Sequence, residues 1–214
     1  MTTISDKLLS LKRSLPNQVI LVAVSKTKTN SVIIEAYKSG QRIFGENRVQ
    51  ELLKKHKELP DDIKWHMIGH LQTKKVKLIA PFVDLIHSVD SLKLLKEINK
   101  RAIENNRKID CLLQIHIAKE STKFGFRINA VKDILSVSSE LNNVNIIGLM
   151  GMATFTDNKN QIKNEFKIIK KLFDVHKDNR IIHLSIGMSS DYLLAIEEGS
   201  TMIRIGSSIF GKRN

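Results

Sequence analysis

The chain has 214 residues, of which 42% are apolar, with 35 Lys and Arg against 22 Asp and Glu for a net charge of +13; this length can build one sizeable core, and a single domain over 1–214 is expected. No run of 18 uncharged apolar residues occurs, and the N-terminus MTTISDKLLSLKRSL carries charges where a signal peptide is apolar, so a soluble, cytoplasmic protein with no membrane partner is expected. The lone Cys111 rules out an intrachain disulfide, and an aromatic content of 5% with lysines spread over most predicted helices argues against a specific nucleic-acid surface, which leaves room for a small phosphorylated ligand.

Residues 2–15 predict an amphipathic helix, with Ile4, Leu8, Leu11 and Leu15 at spacings of four, three and four before Pro16 stops it. VILVAVSK at 19–26 is β-branched-rich, as a strand buried on both faces requires, and it ends in Ser25 and Lys26. A helix over 29–40 follows, closed by Gly40, then the strand RIFGE and a helix opened by Asn47 with Gln50 as its capping partner. KWHMIGH at 64–70 predicts the third strand, followed by a short helix over 74–79, and DLIHSV at 84–89 the fourth, with Ser91 capping the helix after it. DCLLQIHI at 110–117 leads into the polar loop AKESTKFGFR and a helix near 129–140. NIIGLM at 145–150 precedes a helix over about 160–176 with Ile162, Phe166, Ile169 and Phe173 on one face. IIHLSIG at 181–187 runs into a helix capped by Ser189 or Ser190 and stopped by Gly199, and TMIRIG at 201–206 is the last strand, followed by SSIFG.

Strands alternating with helices predict a parallel sheet, and a count of eight strands predicts a closed (β/α)8 barrel, in which the N-terminal helix fills the place of the missing eighth crossover. An open doubly wound sheet is the alternative, but no GxGxxG follows the first strand. In a barrel the strand-end loops converge on one mouth, which would hold Lys26, Asn47, His70, Met152, Ser189 and Ser207. The loops GMSSD and RIGSSIFG, after the seventh and eighth strands, are rich in Gly and Ser, as a phosphate cradle of backbone N–H groups and hydroxyls requires, although both residues are also ordinary in turns. A strand-end lysine opposite such a cradle points to a phosphorylated aldehyde, captured by the amine as a Schiff base. Pyridoxal phosphate fits. His66 and His70 are four apart but straddle Gly69 with no nearby carboxylate, so core or loop histidines are expected rather than a metal site.

The motifs VAVSKT at 22–27, FGENRVQE at 44–51, WHMIGHLQTKKVK at 65–77, IHSVDSLKL at 86–94, TKFGF at 122–126, GLMGMAT at 148–154, SIGMSSDY at 185–192 and GSTMIRIGSSIFG at 199–211 together resemble the YggS/PROSC family of pyridoxal phosphate homeostasis proteins. The resemblance implies a barrel like the N-terminal domain of alanine racemases, without their all-β C-terminal domain. It matches Lys26 to the Schiff-base lysine and Arg204 to the arginine facing the pyridine nitrogen. Met188, Ser189, Gly206 and Ser207 match the phosphate cradle, and Asn47 a residue beside the ring, a role that its expected helix-capping one rivals. Ser207 stands where threonine is common, and Gly151 where many members have threonine. An arginine can only donate to the ring nitrogen, which leaves the ring a poor electron sink. The second base of alanine racemases is a tyrosine from the domain missing here, and the only tyrosines, Tyr37 and Tyr192, fall in predicted helices. The expectation is therefore a pyridoxal phosphate carrier, a monomer or weak dimer supplying apoenzymes, rather than an enzyme. Its alternatives are a weak amino-acid racemase using His70 or water as second base, and a Schiff-base aldolase of sugar phosphates. Lys119 and Lys123 are candidates for passing the aldehyde on, or simply solvated loop lysines.

Overall fold

The structure, a computed structural model, describes residues 3–120 and 124–211. Eight parallel strands pair in chain order and close, the first hydrogen-bonding to the last with Ile20 opposite Met202 and Val22 opposite Arg204. They are β1 (Ile20–Val24), β2 (Ile43–Glu46), β3 (Lys64–Met67), β4 (Leu85–Val89), β5 (Ile109–Ile115), β6 (Val144–Gly151), β7 (His183–Met188) and β8 (Met202–Ile205). Around them run α1 (Ile4–Ser14), α2 (Asn30–Lys38), α3 (Val49–Glu58), α4 (Val76–Ile79), α5 (Leu92–Glu104), α6 (Val131–Ser138), α7 (Lys159–His176), α8 (Tyr192–Glu197) and α9 (Ser207–Phe210). The predicted barrel is thus the observed one. α1 packs against α2 and α9, the position the sequence assigned to it, because the four-residue α9 is too short to cover the β8–β1 seam. It is opened by a capping box in which Thr3 Oγ1 accepts from Asp6 N–H and the Asp6 carboxylate accepts from Thr3 N–H.

The period-two alternation of the strands divides the core in two. Leu21, Ala23, Phe44, Trp65, Met67, Ile86, Cys111, Leu113, Leu149, Ile203 and Ile205 point outward and are buried by the helices. Val22, Leu85, Leu112, Met150 and Met202 point inward and fill one layer of the barrel. Cys111 is fully buried, and burial pushes its thiol well above the ordinary range, so it packs as a small apolar residue.

Toward the strands' carboxyl ends the interior turns polar. His66, His87, Gln114, Ser185 and Arg204 are all buried. Burial depresses His66 to about 3 and His87 well below the ordinary imidazole value, so both are neutral at neutral pH. These folded values lie below the unfolded one near 6.5, so below that pH the unfolded chain takes up protons that the native barrel refuses. Stability is accordingly full above about pH 6.5 and should fall as pH drops from there toward 3, by about 1.4 kcal/mol per pH unit for each such imidazole. Urea melts between pH 7 and 4 read this directly, and a flat profile would contradict it.

Candidate functional site

Lys26 lies two residues past Val24, the end of β1, and so at the carboxyl end of the barrel, where it is half-buried. It sits in a tight turn that Lys28 N–H closes by donating to Ser25 O at 3.0 Å. The turn's third residue, Thr27, has φ 65°, the left-handed region that a type II turn requires there and normally fills with glycine. A β-branched residue in that conformation stores strain on the order of 1–2 kcal/mol. Lys28 Nζ donates to Phe210 O at 3.0 Å and so ties this turn to the end of α9.

Under the turn, outside the strands, is a buried ionic cluster. Lys55 Nζ, from α3, donates to Ser25 O at 2.8 Å, Glu46 Oε1 at 2.8 Å and Glu51 Oε1 at 2.6 Å. Ser25 Oγ donates to Glu46 Oε1, and Thr27 N–H donates to Glu51 Oε1. Burial raises the Glu46 carboxyl above the usual carboxylate range, against the pull of the Lys55 ammonium, and its Oε2 is buried with no hydrogen-bond partner. Of this cluster, the sequence shows only the four-residue spacing of Glu51 and Lys55 on a predicted helix.

Arg204, from β8, crosses the interior. Its Nη1 donates to Ser185 O at 2.8 Å and Ser185 Oγ at 2.6 Å, and its Nη2 to Gly151 O at 3.1 Å. Ser185 Oγ meets His87 Nδ1 at 3.1 Å, and His87 Nε2 meets His66 Nδ1 at 3.0 Å. A guanidinium only donates, so the run is satisfied when the Ser185 hydroxyl donates a hydrogen bond to His87 Nδ1 and His87 Nε2–H donates to His66 Nδ1, with both imidazoles neutral. Burial lowers Arg204 to about 10, which leaves it charged at neutral pH. His66 is therefore a core histidine, as expected, and no group of metal-ligating side chains is found among the described residues.

The loops after β7 and β8 touch each other. Gly206 N–H donates to Ser189 Oγ at 3.1 Å, and Met188 N–H donates to Asp191 Oδ1 at 2.6 Å. Two expectations are corrected here. Neither Ser189 nor Ser190 caps α8: Asp191 takes that position, and its carboxylate turns back to the Met188 amide instead of capping the helix. Nor do Asn47 and Gln50 cap a helix, since α3 begins at Val49 with Arg48 at the cap and no side-chain cap bond. β2 runs on to Glu46, so its alternation turns Asn47 inward with Ile43, where its Oδ1 is buried without a partner. Gly69 permits this approach, because a Cβ there would stand 2.4 Å from Asn47 O.

The remaining candidates are less central. His70 pairs through Nδ1 with Asp90 Oδ2 at 3.0 Å and stacks on Phe124 with ring centroids 4.0 Å apart, beside a cleft of about 410 Å³. Met152 packs on the inner apolar layer. Tyr37 donates to Asp62 Oδ1 at 2.7 Å at the C-terminal end of α2, the opposite end of the barrel from the mouth, and Tyr192 is half-buried at the start of α8. Lys119 is exposed, its N–H held by Thr154 Oγ1, and Lys123 lies outside the described residues. Among these residues the carboxyl end of the barrel has an amine just past β1, a buried guanidinium on β8, an orphaned amide oxygen just past β2, and two linked Gly/Ser loops. That set suits a planar, phosphorylated aldehyde with one ring acceptor.

Residues 2–214 match the family described as alanine racemase, N-terminal domain. A pyridoxal phosphate homeostasis protein of Aquifex aeolicus is 42% identical over 197 residues, 90% of this chain and 86% of its own. PipY of Synechococcus elongatus, solved with pyridoxal phosphate bound, superposes with a TM-score of 0.88 at 37% identity, covering 98% of this chain and 100% of that one. Alanine racemase of Enterococcus faecalis shares the fold, with a TM-score of 0.77 at 15% identity, 98% of this chain covering 58% of that one. With the barrel closed in this order and this similarity along nearly its whole length, the chain belongs to the alanine racemase N-terminal domain family and, within it, to the pyridoxal phosphate homeostasis proteins.

Proposed function

We propose that this protein holds pyridoxal 5′-phosphate reversibly on Lys26 and hands it to apoenzymes that need it, and that it acts as a carrier in the cytoplasm rather than as an enzyme. The observation that supports the reading is that Lys26 lies two residues past β1, that Arg204 lies buried on the neighbouring β8, and that the Ser189–Gly206 bond joins the loops after β7 and β8. When bound, the cofactor supplies an aldehyde that condenses with a primary amine, releasing one water, and the linkage is undone by water or by a second amine. Arg204, held by Ser185 and Gly151, donates to a ring nitrogen and cannot protonate it, so the site does not turn the ring into a strong electron sink. Met188, Ser189, Gly206 and Ser207 would hold the phosphate, with the Gly206 N–H and the two serine hydroxyls as donors. Asn47 offers its unpartnered oxygen beside the ring. Neither tyrosine stands where a second racemase base would, since Tyr37 is at the far end bound to Asp62 and Tyr192 belongs to α8.

Transfer to an apo-aminotransferase tests this. Loaded protein should restore the aminotransferase in the presence of a hydrazine that scavenges free aldehyde. Loss of all transfer under the scavenger, or Lys26-dependent racemisation of alanine at many turnovers per minute, would contradict carriage.

A further inference from the structure

The reading of Lys26 as the capturing amine leaves a question that the cluster beneath it answers. Two ionisable groups are buried between β1, β2 and α3, with Lys55 3% and Glu46 0% exposed, and the partly exposed Glu51 sits beside them. Removing such charges from water costs several kcal/mol per ion, and apolar replacements of buried ion pairs are often as stable. Stability alone is therefore a poor reason for the cluster. Its contacts suggest a better one: they grip the backbone on both sides of Lys26 and only there, Ser25 through its carbonyl and hydroxyl, Thr27 through its amide. The gripped turn is also the one where a β-branched residue is held at φ 65°. Strain of that kind persists only where the surroundings over-determine it, and here the determinant is the Glu51 carboxylate on the Thr27 amide.

We propose that Glu46, Lys55 and Glu51 form a positioning triad that locks the strained Ser25–Lys28 turn and thereby fixes the aim of Lys26 at the aldehyde carbon of a ligand anchored by its phosphate. None of the three touches the ligand. The triad acts from the helix side of the sheet, while Lys26 and Arg204 act from the inside, so aim and anchoring are separable. The proposal rests on the carrier reading and deepens it by assigning the rate of capture to groups outside the mouth.

The test separates capture from anchoring. Pyridoxamine 5′-phosphate has the same phosphate and ring but no aldehyde, so its affinity reports anchoring alone. In Lys55→Met and Glu51→Ala, covalent capture of pyridoxal phosphate at Lys26 should slow about tenfold, as expected when a reacting group loses its fixed orientation. The dissociation constant for pyridoxamine phosphate should stay within about twofold. In the unloaded protein, hydrogen exchange at the Thr27 amide should accelerate in both variants. Glu51→Gln keeps an acceptor oxygen and should restore most of the capture rate. Glu51 is partly exposed, so its variants remain informative if Lys55→Met folds poorly. Unchanged capture with a lowered melting temperature would make the triad merely structural and overturn the proposal, as would an equal loss of capture and pyridoxamine phosphate affinity. If the unaltered protein captures no pyridoxal phosphate on Lys26 at all, the carrier reading itself fails and this proposal with it.

Discussion

Gly187→Ala is expected to destabilise the barrel by about 3 kcal/mol and to weaken retention of a phosphorylated ligand. Gly187 has φ +96°, a conformation that L side chains rarely adopt, and an added Cβ would stand 2.6 Å from Ala195 Cβ and 3.0 Å from Tyr192 Cα. The first cost is the backbone, about 1 kcal/mol for alanine against glycine at positive φ. The second is overpacking between β7 and α8, typically 1–3 kcal/mol, because Tyr192 Cα is backbone and cannot step aside as a side chain does. The functional consequence follows from position. Met188 and Ser189 come next in the chain, and their register sets the Met188 N–H to Asp191 bond within the β7 loop and the Gly206 N–H to Ser189 bond that joins it to the β8 loop. Pushing β7 away from α8 moves the Met188 donor and the Ser189 acceptor. Chemical denaturation gives the first number, and dialysis against pyridoxamine phosphate gives the second. A change below about 1 kcal/mol with unaltered affinity would mean that the loop geometry tolerates the shift, and the role given to Gly187 would be wrong.

The architecture was legible because the physics that produces it is local. A strand buried on both faces is mostly apolar, and VILVAV states that without reference to the rest of the chain, while DLIHSV and CLLQI state it with a few polar interruptions. Amphipathic spacing gave α1, α5 and α7, and the short tail after β8 explained why α1 closes the ring. Lys26 lies two residues past β1, so placing that strand puts it at the barrel's carboxyl end. The failures have one cause. Asn47 reads as a helix cap by residue type, as do Ser189 and Ser190, but which group finally serves a polar residue is decided by tertiary neighbours. For Asn47 the continuation of β2 turns the side chain into the barrel; for α8 the Asp191 carboxylate is spent on the Met188 amide, leaving Ser189 free to bridge to Gly206. The Arg204–Ser185–His87–His66 run was equally invisible, since its members lie on β8, β7, β4 and β3 and meet only after closure. The triad under Lys26 was half visible, through Glu51 and Lys55 on one helix face, but its third member is on a strand.

The central claim is a covalent one, and reductive trapping followed by peptide mapping reads it most directly. Protein incubated with pyridoxal phosphate and reduced with borohydride should carry one stable adduct of the cofactor's mass, on the peptide containing Lys26, and Lys26→Ala should carry none at that site while keeping its fold and its affinity for pyridoxamine phosphate within a few fold. An adduct placed instead on Lys119, Lys55 or a surface lysine, with Lys26 unlabelled, would contradict the account.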